Sequence, residues 1–174
     1  MTVLPAPLSA SRPVSRTVPP AAYHVGLFAL IHRRGTYLMV RPRQPLLPDS
    51  PWSPPGLLLG AGTGQGLAEQ QLRRTLLSQL SLAVGDFRLV GSHAGRPDRQ
   101  GQGAQLHLVF ATEYASGLVN PQATELRGAE WFTPDELRAR AVPAWVLDAV
   151  ALDASAPRES AGFRLPFWRR PRLT

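Results

Sequence analysis

The sequence of 174 residues contains no cysteine and no lysine, and Ile31 is its only isoleucine. Without cysteine, disulfides and thiolate metal sites are excluded, which fits a cytoplasmic protein. No apolar run approaches the roughly 20 residues that span a bilayer, and the N-terminus lacks the charged start and apolar core of a signal peptide. We therefore expect a cytoplasmic protein without a transmembrane segment, built as one domain with a sizeable core.

Positive charge is concentrated at the two ends of the chain. Residues 1–20 contain two arginines, and residues 158–174 contain five arginines and one glutamate. Residues 21–157 are almost neutral, with twelve arginines against eleven acidic residues. We predict a disordered Pro/Ala/Ser-rich arm over 1–20, a folded domain over 21–157 and a basic-aromatic tail over 158–174.

Alternating apolar residues predict several β-strands. Residues 23–32 place Val25, Leu27 and Ala29 on one face and Phe28 on the other. Further strands are predicted over residues 36–43, 86–96 and 106–115.

Two other features carry structural expectations. Residues 43–58 contain five prolines, which remove backbone donors and fix φ, so we predict a stiff connector and no regular element. His107 lies in the middle of a strongly apolar strand, and we expect it to be buried and held by a backbone hydrogen bond.

Two helix starts are marked near the end of the domain. Thr133 is a good N-cap, Pro134 suits the first helical position, and Glu136 completes a capping box. A further helix is predicted directly after Pro143.

A glycine-rich loop and a helical repeat together occupy residues 60–82. The loop glycines are Gly60, Gly62, Gly64 and Gly66, and the apolar helical face consists of Ala68, Leu72, Leu76, Leu77 and Leu80. Free backbone N–H groups at such a loop and the dipole of the following helix favour a phosphate. On the other face, Thr75, Ser78 and Gln79 are spaced so that their side chains can converge on one point.

This stretch resembles the signature of the Nudix (MutT-like) hydrolases, in which a glycine is followed at fixed spacings by glutamates, an arginine and aliphatic residues. With Arg74 on the motif arginine, the first glycine falls on Gly60 and the aliphatic positions on Leu76 and Leu82. The flanking stretches 51–56 (PWSPPG) and 129–137 (AEWFTPDEL) are also similar to the family. The resemblance covers residues 22–152 and implies an α/β (α+β) fold, a Nudix-like α/β/α sandwich with a mixed central sheet.

The glutamates of the signature are missing here. Their positions fall on Gly66, Thr75, Ser78 and Gln79, and the late glycine of the motif falls on Ser81. The resemblance implies that such glutamates hold Mg²⁺, which polarises the pyrophosphate of a nucleoside diphosphate derivative and activates water. At an effective dielectric of about 20, each charge lost about 4 Å from a divalent ion forfeits several kcal/mol. We therefore predict no metal site, no cofactor and no catalytic residue at these positions.

The remaining groups favour ligand binding. We predict that a phosphate-bearing, nucleotide-type ligand contacts Gly60, Gly62, Gly64, Arg74 and Gln79. The resemblance implies that the motif arginine pairs with the first glutamate, which is Gly66 here, so Arg74 is either free to receive a phosphate or paired with Glu69 or Glu113.

The principal hypothesis is thus a Nudix-fold protein that is inactive or feeble as a hydrolase and binds a phosphate-bearing ligand or a macromolecular partner. One alternative is a Mg²⁺-dependent pyrophosphohydrolase that uses acids outside the motif, with Glu113 and Glu130 as candidates. Another is nucleic-acid binding through the basic arms, in particular through residues 158–174. A homodimer is also left open.

Overall fold

The computed structural model describes residues 23–47, 50–59, 67–95, 104–140 and 142–156. The predicted arm and tail, and the loop glycines at 60–66, lie outside these residues. The elements in chain order are β1 Tyr23–Arg33, β2 Thr36–Pro42, β3 Gly56–Leu59, α1 Ala68–Leu80, β4 Ala83–Val84, β5 Arg88–Gly95, β6 Ala104–Ser116, β7 Leu126–Phe132, α2 Pro134–Arg138 and α3 Ala144–Ser155.

The seven strands form a mixed sheet around β1 and β6, which pair in parallel. The other edge of β1 pairs antiparallel with β2 and β3, and β2 pairs in turn with β7. On the far side, β6 pairs antiparallel with β4 and β5. The predicted mixed central sheet is therefore confirmed.

Helices cover both faces of this sheet because its central strand is apolar on both sides. Leu27 and Ala29 of β1 belong to a core cluster with the buried leucines of α1. Phe28 and Leu30 point the other way, into a second cluster with residues of α2 and α3. The predicted α/β/α sandwich is confirmed, and none of the helices in the described part of the chain is long and apolar enough to cross a bilayer.

The proline-rich stretch 43–58 is more regular than predicted. Ser53 and Val40 exchange two backbone hydrogen bonds of 2.8 and 3.0 Å, and the carbonyl of Pro55 accepts from the N–H of Ala29 at 2.8 Å. β3 then begins at Gly56, where an added Cβ would lie 2.2 Å from the carbonyl oxygen of Leu27. The prediction of an irregular connector was wrong for its last part, because prolines still offer carbonyl acceptors and the strand starts just after them.

The two predicted helix starts are confirmed. Thr133 is the N-cap of α2, and its side chain and that of Glu136 form the reciprocal capping box. The backbone and side-chain hydrogen bonds from Thr133 lower the pKa of the Glu136 carboxyl. Pro143 is the N-cap residue of α3.

Candidate ligand-binding site

The site is built around α1, which packs one face against the sheet. Leu72, Leu76 and Leu80 are buried, as the helical repeat predicts. Leu77 is 61% exposed, so the prediction that it widens the buried face was wrong. It lies one residue beyond Leu76, and the resulting rotation of about 100° turns it away from the sheet.

The end of α1 supports the alignment with the Nudix signature. Ser81, at the position of the late motif glycine, is the C-cap residue and has φ 57° and ψ 33°. This left-handed conformation is the one that favours glycine at a helix end. A serine therefore occupies a backbone position whose geometry suits the residue that the signature has there.

The three motif positions on α1 do not converge on one point. The Ser78 hydroxyl donates to the carbonyl of Thr75 at 3.1 Å, so it bonds within its own helix. The Gln79 side chain instead reaches across to the start of β7, where its Nε2 donates to Oε2 of Glu125 at 2.6 Å. Gln79 is thus the motif position whose side chain forms a hydrogen bond with a residue outside α1.

Glu125 is placed by a loop that binds the end of α1. The N–H of Gln122 donates to the carbonyl of Gln79 at 2.9 Å, and the N–H of Asn120 donates to that of Leu80 at 3.0 Å. Glu125 follows this loop directly and precedes β7. Glu125 was not singled out from the sequence. Its position just before a strand could have indicated it, but the resemblance of residues 129–137 to the family drew attention to Glu130 instead.

A cavity of about 500 Å³ opens beside this hydrogen bond. Its volume falls in the range of small-molecule sites, and half of its lining residues are apolar, as is common there. The lining residues are Val40, Pro42, Arg43, Gln44, Leu46, Gly56, Leu57, Leu58, Gln79, Thr124, Glu125 and Leu126.

Arg43 supplies positive charge to this cavity. Its N–H donates to the carbonyl of Glu125 at 2.9 Å, and its Nε donates to the carbonyl of Ala123 at 2.5 Å. The Arg43 backbone is therefore bound to Glu125, and its guanidinium is held beside this segment by the Ala123 carbonyl. Arg74 is exposed on α1 and is not a lining residue. Of the predicted ligand contacts within the described residues, the structure brings Gln79 to the cavity and leaves Arg74 outside it.

The two acids suggested as substitutes for the motif glutamates lie elsewhere. Glu113 is opposite His32 in the β1–β6 pair, and both residues line a separate cavity at the end of the sheet. Glu130 is opposite Met39, which belongs to the core cluster under α2 and α3. Since paired residues share a face of the sheet, both acids are on the side away from α1. The suggestion that these acids replace the missing glutamates is corrected by this geometry, because the side chain of each leaves its strand on the face opposite α1.

The donor set at the cavity does not fit Mg²⁺. This ion demands hard oxygen ligands in an octahedron. Glu125 provides the carboxylate at the motif face, but the Gln79 amide points an N–H donor at it and offers no negative charge. Within the described residues, no group of three or more histidine, aspartate or glutamate side chains is placed to hold a metal ion.

Comparison with solved structures places this arrangement among known folds. A NUDIX hydrolase from Nitrosomonas europaea superposes with a TM-score of 0.62 at 20% identity, covering 76% of this chain and 89% of that one. A MutT NUDIX hydrolase from Burkholderia pseudomallei gives a TM-score of 0.59 at 18% identity, covering 78% and 99%. The chain has the Nudix fold.

Other structures with the Nudix fold are similar as well. The NUDIX domain of Shewanella oneidensis NrtR, crystallised with ADP ribose, gives a TM-score of 0.61 at 12% identity, covering 77% of this chain and 90% of that one. No family model and no curated protein sequence matches the chain. The likeness to the Nudix fold is thus carried by structure, at sequence identities of 12–20% for these three.

Proposed function

We propose that this Nudix-fold chain binds a nucleotide-type, phosphate-bearing ligand in the cavity beside Gln79 and does not hydrolyse it through a metal ion. The hydrogen bond from Gln79 to Glu125 carries this proposal. An amide donor faces a carboxylate where a second carboxylate would strengthen the binding of a divalent cation. The pair carries one negative charge where the motif would give two, and its donor and acceptor groups can still form hydrogen bonds with a ligand.

The rest of the cavity supports binding. Leu57, Leu58 and Leu126 offer apolar surface for a planar or aliphatic group, and Arg43 offers a guanidinium whose planar fork suits phosphate. The Nudix domain of NrtR was crystallised with ADP ribose, a ligand of this class. A cavity of about 500 Å³ is large enough for a substantial part of such a molecule.

The test is isothermal titration of the full chain with ADP ribose, ADP and a nucleoside triphosphate, in EDTA and then in Mg²⁺. We expect binding that is unchanged by the metal, and no phosphate release. Leu58→Trp, at the partly exposed wall of the cavity, should weaken binding at least about tenfold by filling it. Leu77→Trp, on the exposed side of α1, is the matched control and should bind as the wild type does. Mg²⁺-dependent turnover of any of these compounds would refute the proposal.

A second candidate is a Mg²⁺-dependent hydrolase in which Glu125 takes the part suggested for Glu113 and Glu130. Its support is that one carboxylate remains at the motif face. This candidate predicts phosphate release that Glu125→Gln abolishes and that Glu113→Gln leaves unchanged. Equal release by both variants would remove it.

A further inference from the structure

The face of the sheet opposite the cavity holds a cluster of aromatic rings around Trp145 of α3. The Trp145 ring stacks on His93 of β5, with centroids 5.6 Å apart and planes 10° apart. It also packs against Phe28 of β1 at 5.5 Å and His107 of β6 at 5.2 Å. Trp145 thus contacts three strands, and beside it Val146 attaches the same end of α3 to the core.

His107 is the buried member of this cluster. It is 3% exposed, and its Nδ1 has no hydrogen-bond partner among the residues that the structure describes. His107 is buried as predicted, its ring packs against Phe28 and Trp145, and the predicted backbone hydrogen bond stays a prediction. Burial, and to a lesser degree the neighbouring His93, lowers the pKa of His107 from its ordinary value of 6.5.

The charged groups around the cluster do not favour a proton on His107. His93, whose ring centroid is 6.0 Å away, is the titratable neighbour that contributes to its lowered pKa. Asp148 of α3 lines a cavity of about 160 Å³ together with His93 and Trp145. A proton on His107 is buried among apolar rings without an acceptor.

The C-terminal end of α3 is attached by different chemistry. Asp153 is buried, accepts a hydrogen bond from the Tyr37 hydroxyl at 2.9 Å, and forms an ion pair with Arg88 at 2.6 Å. These contacts involve no histidine. The two ends of one helix are therefore held by different kinds of contact.

We propose that His107 makes the packing of the N-terminal end of α3 against the sheet sensitive to pH. In mild acid, this end leaves the sheet with Trp145, while Asp153 keeps the other end in place. Release exposes the His107 ring to water and lets its free Nδ1 take up a proton.

The direction and the size of this pH effect follow from the difference in proton binding between the attached and the released state. The attached state binds a proton less readily than the released state, in which His107 titrates near its ordinary value of 6.5. Attachment is therefore complete above about pH 6.5 and weakens as the pH falls below it. Between pH 7.5 and pH 5.5 the population of the released state should rise by up to about tenfold, the limit reached if the attached state takes up no proton in this range.

Hydrogen exchange of the full chain at pH 7.5 and pH 5.5, corrected for the intrinsic effect of pH on amide exchange, tests this. We expect peptides covering residues 144–150 to exchange faster at pH 5.5, by up to about tenfold, and those covering residues 27–31 to be unchanged. In His107→Leu the acceleration should disappear. In His24→Leu, which removes an exposed histidine of β1, it should persist.

His107→Gln provides a second variant that does not titrate, in case leucine disturbs folding, and it should also abolish the acceleration. The proposal is overturned if the wild type shows no acceleration confined to α3. It is equally overturned if the acceleration survives in whichever of the two variants folds.

Discussion

Replacing Gln79 by glutamate restores one motif carboxylate and tests whether the missing charges explain the loss of the metal site. In the wild type, the Gln79 amide donates to Glu125 at 2.6 Å. Gln79→Glu converts this bond into a contact between two carboxylates. Without metal, the variant should be less stable than the wild type, and Mg²⁺ should stabilise the variant selectively.

The magnitude follows from the distance. Two unit charges 2.6 Å apart repel by about 1.6 kcal/mol at the dielectric constant of water, which applies because Glu125 is exposed. Loss of a hydrogen bond to a charged acceptor adds about 1.5 kcal/mol. Rotation of the new side chain relieves part of this, so we expect a loss of about 2 kcal/mol. For a domain of this size, that lowers the Tm by about 4–8 °C.

Thermal unfolding in EDTA and in excess Mg²⁺ measures both effects. At a metal concentration of about 100 Kd, binding to the folded state contributes about 2.7 kcal/mol and should recover the loss. Gln70→Glu is the matched control, because it adds the same charge at an exposed position in the first turn of α1. Its Tm should not depend on Mg²⁺. A wild-type Tm that rises with Mg²⁺ as much as that of the variant would refute the reasoning.

Three further variants test the backbone and the helix cap. Ser81→Gly relieves a left-handed serine and should raise the free energy of unfolding by about 0.5–1 kcal/mol in urea titrations; no gain would count against strain at this position. Gly56→Ala should cost about 2 kcal/mol or more in the same assay, since its Cβ would lie 2.2 Å from the Leu27 carbonyl oxygen, and a neutral result would contradict that close approach. Thr133→Ala should cost about 1 kcal/mol at neutral pH. The variant keeps the backbone bond that contributes most to the lowered pKa of Glu136 and loses the hydroxyl bond, so the part of the difference due to that bond should shrink as the pH falls below 4.5; a constant difference would refute this coupling.

The sequence predicted the sheet and the helix starts because their signals are local. Alternation along β1 separates Leu27 from Phe28 by face, and these faces lead to the two core clusters of the structure. The capping box of Thr133 and Glu136 is likewise decided within four consecutive residues.

The candidate site was less accessible to sequence reasoning because its groups meet only through tertiary contacts. Glu125 reaches Gln79 because the preceding loop binds the last carbonyls of α1, which no periodicity indicates. Glu113 and Glu130 were chosen by residue type, and strand phase places them on the other face. His107 was predicted to be buried, but the packing of its ring against Trp145 depends on a tertiary contact that the sequence does not indicate.

The parallel pairing of β1 with β6 has a consequence for how the chain acquires its fold. Tyr23 pairs with Ala104 and His32 with Glu113, so the central strand receives its second neighbour only from a segment far along the chain. During synthesis, β1 can first pair only with β2 and β3, and one of its edges stays open until β6 has left the ribosome. Such distant pairing slows folding and leaves an apolar edge available to other chains. We therefore expect nascent chains that end before β6 to depend on chaperones, and the completed domain to fold more slowly than a helical bundle of equal length.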